Sequence, residues 1–369
     1  MLLILVLLLW TKPLWWPSVQ GEIPAPVQDA MDDAEEFFNG IIPQEFKITN
    51  VKEKWQAFYT SLKDDIEEPE QNTADDIELE TPENQSVSVG NVELGDEKAE
   101  VEEMYGDPEA ESENEYGIDW SSYHENYQNF MMVAYDEEDV VRGLFTNQDL
   151  FSSEFDISLG NPKEKVTETL GKPEEVIQNG WFNYRVNSDG EYDVYEKDGD
   201  FITFFYDLHA AEEAEVAAVQ IIDDKLESTK DGFYADGSEA LQEGFETQLF
   251  ELTNAARVKH DLPVLEWNED VSETAGKHSA DMAENNYFSH TNLEGKSAAD
   301  RMKKDNISFI SAGENLAYGQ FSSIFAHQGL MNSEGHRENI LHNGYTELGT
   351  GVDFDESNQP FYTENYLSR

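Results

Sequence analysis

The sequence predicts an α+β chain in two ordered parts, the first built on antiparallel sheets and the second opening on two long helices. Three observations carry this. A block of eighteen residues recurs at a spacing of 65 positions. Hairpin signals follow each copy of the block. Beyond residue 245, two long stretches of helical periodicity alternate with short extended runs.

The chain opens with an apolar run from Met1 to Trp10, followed by Lys12, Pro13 and Leu14-Trp15-Trp16. Ten apolar residues suit the core of a signal peptide and are too few to span a bilayer. Residues 1–21 are therefore expected to be a signal peptide or an N-terminal anchor. Over 22–63, Trp55, Phe58, Tyr59 and Leu62 fall at helical spacing among many acids, which predicts a partly helical acidic segment. From Asp64 the apolar content collapses, and residues 64–89 read as a disordered acidic linker, because such a composition cannot offset the entropy of ordering.

The repeat comes next. Leu94, Gly95, Val101, Gly106 and Pro108 recur as Leu159, Gly160, Val166, Gly171 and Pro173. Each copy reads as a strand end, a glycine turn, a short helix and a Gly-x-Pro stop. Strands are predicted after each copy, at 129–135 and 140–146 in the first. In the second they fall at 191–196 and 201–206 around Lys-Asp-Gly-Asp, with another at 216–222. Aromatic residues here, such as Trp120, Tyr123 and Trp181, read as core, and no catalytic spacing occurs. This pattern resembles the CAP-associated N-terminal domain of secreted bacterial proteins, over roughly residues 90–240. That family has no established activity, so the resemblance implies architecture only.

Residues 245–258 predict a helix with Phe245, Leu249, Leu252, Ala255 and Ala256 on one face and Thr253, Asn254 and Arg257 off it. A second helix is predicted from about Glu269 to Asn285. On it His278 shares a side with Val271, Ala275 and Met282 and reads as a packed helix histidine. Six of the eight histidines lie beyond residue 250. Tyr-Phe-Ser-His-Thr (287–291), Gly-Glu-Asn (313–315) and Glu-Gly-His-Arg-Glu-Asn-Ile (334–340) interleave histidine, carboxylate and glycine, as a functional cleft does.

Together with Asn254-Ala-Ala-Arg257 and Ala275 to Met282, these runs resemble the bacterial branch of the CAP superfamily, over residues 245–369. That superfamily contains cysteine-rich secretory proteins, antigen 5 and pathogenesis-related proteins. The resemblance implies a three-layer α-β-α sandwich with a cleft that holds two histidines and two acids, sometimes with zinc or another divalent cation. His290 matches the first histidine and Glu314 the glutamate of Gly-Glu-Asn. The second glutamate position falls on Ser333, with Glu334 beside it. The second histidine position falls on Phe361, and His336 is the bacterial residue able to reach the same cleft.

The residues allow two chemistries. Two imidazoles and a carboxylate can hold a zinc with an open water position, and a histidine–glutamate pair can do acid–base work. The candidate ligands are His290, His336, Glu314 and Glu334, and the candidate catalytic groups are His290, Glu314 and His336. Neither a His-Glu-x-x-His helix nor a Gly-x-Ser-x-Gly elbow is present. Asn315 and Asn339 read as groups that satisfy local backbone, and Arg337 as the partner of Glu338 or of a carboxylate on the 245–258 helix. His327 and His342 read as surface or flanking residues.

Acidic residues number 79 against 23 basic, for a net charge of −56. Only 20 acidic and 9 basic residues fall in 245–369, so most of the excess lies upstream. Such a surface repels nucleic acid and anionic lipid, and contact with a membrane is expected only through the N-terminal segment. The absence of cysteine removes disulfides and thiol chemistry. The expectation is an exported binding or interaction module, extracellular or anchored at the cell surface, with a lipid, a peptide or a cell-wall component as its ligand. The alternative is a metal-assisted hydrolase acting on protein or cell wall through the same cleft.

Overall fold

The computed structural model describes residues 74–179, 182–186, 188–210 and 213–369. The expected export segment, the acidic helical segment, the first part of the linker and Trp181 lie outside the described residues. Among those described, no helix is long and apolar enough to cross a membrane.

The expectation of disorder fails for the end of the 64–89 linker. Val87–Val89 form strand β1, which pairs antiparallel with β6 (Phe151–Ser153). Val87 and Val89 are buried, and the Glu93 carboxylate accepts from the backbone of Glu83, Asn84 and Gln85 at 2.6–2.9 Å. Two valines and a turn carboxylate suffice to fix a strand that the acidic average of the window conceals.

Between these strands come α1 (Lys98–Tyr105), β2 (Ala110–Glu113), β3 (Asp119–Glu125), β4 (Gln128–Tyr135) and β5 (Val141–Thr146). After β6 follow α2 (Lys163–Leu170), β7 (Val176–Asn179), β8 (Phe182–Arg185), β9 (Tyr192–Lys197), β10 (Asp200–Asp207) and β11 (Glu215–Ile222). Seven strands form one antiparallel sheet in the order β2-β3-β4-β5-β11-β10-β9, while β7 and β8 make a separate hairpin. The Asp198-Gly199 turn between β9 and β10 has positive φ at both residues, which matches the twist of a tight hairpin.

The same local pattern occurs on both sides of the sheet centre. Helices α1 and α2 have eight residues each, bury a single valine (Val101 or Val166), and end on glycines with φ of 81° and 86°. Gly95 donates to Val141 and Gly160 to Val216, while Lys98 donates to Asp139 and Lys163 to Ala214. At the centre β5 and β11 pair with Phe145 opposite Gln220, flanked by Leu144–Ile221 and Thr146–Val219.

Each face of this sheet is covered differently. Val133, Leu144, Phe204 and Ile221 pack with Val101 and Val166 of the two short helices. Trp120, Phe130, Phe145 and Ala218 on the opposite face pack against Leu252, Ala255 and Ile324 from the C-terminal part. The two parts therefore share a core.

The C-terminal part continues through α3 (Asp224–Glu227), α4 (Glu239–Lys259), β12 (Glu266–Trp267), α5 (Glu269–Asn285) and α6 (Ala298–Lys304). It ends with β13 (Ser311–Tyr318), α7 (Ser323–Asn332), α8 (Glu334–Ile340), β14 (Glu347–Phe354) and β15 (Pro360–Ser368). Its sheet runs β12-β14-β15-β13, which leaves β13 at an edge. Leu348 and Val352 of β14 pack with Leu241, Phe245 and Leu249 of α4. Gly349 and Gly351 turn the other way, onto the backbone of α5. The alternation of a strand thus places one helix on each face of the sheet.

Helix α4 departs from its sequence reading. Thr253, Asn254 and Arg257, expected off the apolar face, are fully buried. Their polar groups are occupied internally, apart from Nη2 of Arg257, which has no hydrogen-bond partner among the described residues. Asn254 bonds both the carbonyl (3.1 Å) and the N–H (2.7 Å) of Leu265, and Arg257 donates to the carbonyls of Pro263, Ile340 and His342. A helix covered on all sides can carry polar residues where each has a partner.

The close approach of β14 and α5 yields a sharp test. A Cβ at Gly351 would lie 2.0 Å from the Gly276 nitrogen, while one at Gly276 meets nothing nearer than 3.9 Å. Gly351→Ala should lower the unfolding free energy by roughly 2–3 kcal/mol through overpacking. Gly276→Ala, inside a helix, should be neutral or raise it by up to about 1 kcal/mol. Urea titrations of the two variants check the contrast.

Candidate functional site

Three loops converge on the edge strand β13. Helix α5 starts under the Asn268 cap and stops at Asn286, which takes a left-handed conformation (φ 52°) and turns the chain into Tyr287–Thr291. Ser297 and Asp300 form a capping box that starts α6, and the next residue is Arg301. Ser333 begins α8, which presents His336 beside β13.

At the centre is Glu314, 9% exposed. One carboxylate oxygen lies 3.0 Å from Nδ1 of His290, and the other accepts from Arg301. Arg301 also donates to the carbonyls of His290 (3.0 Å) and Lys296 (3.1 Å), so it fixes the loop that carries the histidine. The His290 side chain itself is 59% exposed. Its ring is held at Nδ1 and open to solvent at Nε2.

His336 is half-buried, and its pKa is lowered first by burial and then by the nearby His290. Its backbone carbonyl accepts from Asn315 at 3.1 Å. The structure thus gathers His290, Glu314 and His336 at one edge. Glu334 is exposed at the first residue of α8. Among the described residues, no three histidine or acidic side chains converge as a metal-ligand group.

Because strand residues alternate, Asn315 points away from Glu314 into a second polar cluster. There it donates to Glu364 at 3.0 Å, and Glu364 also accepts from Tyr366 (2.6 Å) and Thr253 (3.3 Å). Glu364 is fully buried, and burial raises its pKa. Asn339 ties the two clusters by donating to the Asn315 side chain (2.9 Å) and the Glu314 carbonyl (3.3 Å). Sequence reasoning passed over Glu364. The available signal was its place as the one charged residue of the final strand.

Residues 250–366 match the family model described as the cysteine-rich secretory protein family, abbreviated CAP. Residues 94–233 match the model for the CAP-associated N-terminal region. Residues 250–366 are a CAP domain. A Bacillus subtilis (strain 168) protein named "uncharacterized membrane protein YlbC" is 44% identical over 129 residues, which is 35% of this chain and 36% of that protein. The protein named "uncharacterized protein YkwD", from the same organism, is 43% identical over 107 residues, which is 29% of this chain and 42% of its own length. The match thus spans well under half of either relative.

Two solved structures share the fold. One is an extracellular protein containing an SCP domain from Bacillus anthracis str. Ames (TM-score 0.66, 24% identity, 80% of this chain and 100% of that chain). The other is a cysteine-rich secretory protein, SAV1118, from Staphylococcus aureus subsp. aureus Mu50 (TM-score 0.61, 15% identity, 79% and 95%).

Other residues of the CAP domain stand apart from their sequence readings. Arg337 pairs with Asp207 of the N-terminal part at 2.8 Å, and not with Glu338 or an α4 carboxylate. Glu338, the next residue along the helix, points to solvent, whereas the end of β10 lies against α8. His327, expected at the surface, is fully buried in α7, and neither ring nitrogen has a hydrogen bond among the described residues. Burial holds its pKa down to about 3. Phe361, at the position of a family histidine, is buried and stacks on Tyr318 at 5.5 Å. His278, by contrast, is the packed helix histidine expected, buried with Nε2 at 3.0 Å from the Ser289 carbonyl, which anchors the loop that leads to His290.

Two outcomes are expected. Glu314→Gln leaves the Arg301 guanidinium without its charge partner and should cost about 3–5 kcal/mol of stability. His290→Ala, at an exposed side chain, should cost within about 0.5 kcal/mol. Urea unfolding of both variants separates holding the fold from presenting the site.

The second concerns pH. The folded pKa of His327 lies far below the ordinary 6.5, so the unfolded chain binds more protons between these values. Its stabilising neutral form contributes fully above pH 6.5 and is lost towards pH 3, at about 1.4 kcal/mol per pH unit. Glu115 and Glu246 act in the opposite sense, because burial pushes both up to about 7 and stability falls as pH rises from 4.5. Wild type should therefore lose stability relative to His327→Leu steadily as pH falls below 6.5, in urea midpoints measured at successive pH values.

Proposed function

We propose that the chain acts outside the cell or at its surface as a binding module, with its ligand held against the β13 edge by His290 and His336. The observation that carries this reading is the state of Glu314. Both of its oxygens are engaged, by His290 and by Arg301, so the carboxylate orients a histidine and is closed to ligand or metal. The placement outside the cytoplasm draws on the apolar opening run, on the relative named a membrane protein and on the structural neighbour described as extracellular.

The donor set does not fit a resident zinc. A structural or catalytic zinc takes at least three protein ligands. Here Glu314 is engaged, Glu334 faces solvent, and Ser333 and Phe361 stand where the family places a carboxylate and an imidazole. His290 and His336 remain, and two imidazoles at an open edge make a weak cation site.

One feature favours a second reading. A histidine fixed at Nδ1 by a carboxylate, with Nε2 free, has the arrangement of a general base. Arg301 opposes this, because its charge neutralises the carboxylate that would stabilise the imidazolium.

A single assay tests both readings. Purified chain is mixed with insoluble cell-wall fragments in the presence of a chelator and then sedimented. Binding predicts co-sedimentation that His290→Ala and His336→Ala reduce by about tenfold, with no soluble fragments released. Release of fragments that stops in His290→Ala would establish hydrolysis, and stoichiometric zinc uptake in a separate titration without chelator, at micromolar supply, would reinstate the metal site.

A further inference from the structure

A cavity of about 480 Å³ lies where the N-terminal sheet, the β7–β8 hairpin and the CAP domain meet. Its volume falls within the range of small-molecule sites, about 300–1,000 Å³. The walls present aromatic faces. Phe233 packs edge-on against Tyr184 at 5.7 Å and Phe321 at 5.4 Å. Phe233 is 40% exposed and Tyr318 is 48% exposed, so the rings at the mouth are open to a ligand.

Two amide side chains in the lining each have one buried atom without a partner among the described residues. Gln220 is 3% exposed, yet its Nε2 donates no hydrogen bond. The Oε1 of Gln320 is buried and accepts none. A buried donor and a buried acceptor left unmade in one cavity are costly, and a ligand amide offers the complementary pair. The charges in the lining disfavour an acidic ligand. Lys230 is already taken, paired with Glu227 at 3.3 Å and seated over the rings of Phe321 (4.4 Å) and Tyr116 (4.6 Å). Arg185 then stands against Asp189 and Glu191, on a chain of net charge −56.

We infer that this interdomain cavity is a subsite for an uncharged chain of acetamido sugars. The ring C–H bonds of such a sugar, polarised by adjacent oxygens, meet the electron-rich faces of Phe233, Phe321 and Tyr318. The free amide atoms of Gln220 and Gln320, sealed from water in this conformation, would turn to the sugar's acetamido group, the first to donate and the second to accept. The inference rests on the binding reading above, and it extends the ligand along β13. Tyr318 lies four residues from Glu314 on that strand, roughly 13 Å at about 3.3 Å per residue. Its ring also contacts Phe288, two residues before His290, at 4.6 Å. A linked run of sugar rings laid along the edge strand would touch the cavity and the histidine site together. A peptide with aromatic side chains would use the rings but leaves the matched amide pair without a specific role.

The test is calorimetric titration of the full chain with the β-1,4-linked tetramer of N-acetylglucosamine, alongside a neutral glucose tetramer and an aromatic tripeptide. Saturable binding of the acetamido tetramer is expected, at least tenfold tighter than the glucose tetramer. Phe233→Ala and Gln320→Ala, both at positions away from the sheet cores, should each weaken it about tenfold with an unchanged thermal midpoint. Absence of binding at millimolar sugar, unchanged affinity in both variants, or preference for the tripeptide would overturn the inference. Co-sedimentation with cell wall that depends on His290, without tetramer binding, removes the cavity proposal and leaves the binding reading. Tetramer binding without co-sedimentation does the reverse.

Discussion

The structure depends on the burial of α4 from two directions. Phe245, Leu249 and Ala256 close the core of the CAP sheet, while Leu252 and Ala255 join the second face of the seven-stranded sheet. An antiparallel sheet with both faces apolar cannot stand alone in water. Its second face needs α4 and α7, and α4 in turn needs both sheets. Polar contacts fix the register of this joint. Glu251 lies 3.1 Å from His124 and accepts from Tyr127 at 3.0 Å, and Gln248 donates to the Glu113 carbonyl at 2.9 Å. A Cβ at Gly244 would sit 2.1 Å from the same carbonyl, so the helix and β2 meet at backbone distance. Interfaces of this kind behave as one core, and any ligand site between the two parts is held rigidly.

That joint also governs the site at β13. The edge strand divides two carboxylates by the two-residue period of its pleat. Glu314 faces the loops from α5 and α6, whereas Asn315 faces Glu364 and the underside of α4 through Thr253. The exposed histidine is thus connected to the buried interior by a chain of hydrogen bonds through Asn339, Asn315 and Glu364. Networks of this kind are costly when half-satisfied and specifying when complete. The geometry of His290 is therefore set from beneath by groups far less exposed than itself.

Much of this was legible in the sequence, for identifiable reasons. Helix α5 is legible at Glu269–Asn285 from its apolar spacing, and the Asn268 cap fixes its start in the structure. The strands around Lys-Asp-Gly-Asp were read because positive φ at both turn residues requires that chemistry. His290 and Glu314 were paired in advance by family resemblance, and the structure places them 3.0 Å apart. Arg301, which completes the trio, sits in an unremarkable basic helix and became visible only once the chain was folded. Four of the misreadings share one cause. Thr253, Asn254, Arg257 and His327 are polar, and polarity was taken as exposure. Each is buried because a second structural layer covers a helix face that periodicity alone would leave to solvent. A one-dimensional pattern reports one covered face, and α4 and α7 have two.

The placement of basic residues follows from the same architecture. With 23 cations among 79 acids, each buried cation is a commitment. Arg257 ties α4 to the carbonyls before β14, Arg301 holds Glu314, Arg337 holds Asp207, and Lys230 lies with Glu227 among aromatic rings. Lys259, exposed at the end of α4, also reaches the Ala217 carbonyl of β11 at 2.8 Å. Several of these cations therefore serve the joint or the site, and the surface is left strongly acidic. Salt screens exposed charges across about 10 Å at 0.1 M but reaches buried pairs far less. Higher ionic strength thus relieves the repulsion between surface acids while sparing the internal ties. A chain built this way keeps its domains locked under conditions that loosen ordinary surface ion pairs, and it meets uncharged ligands on better terms than anionic ones.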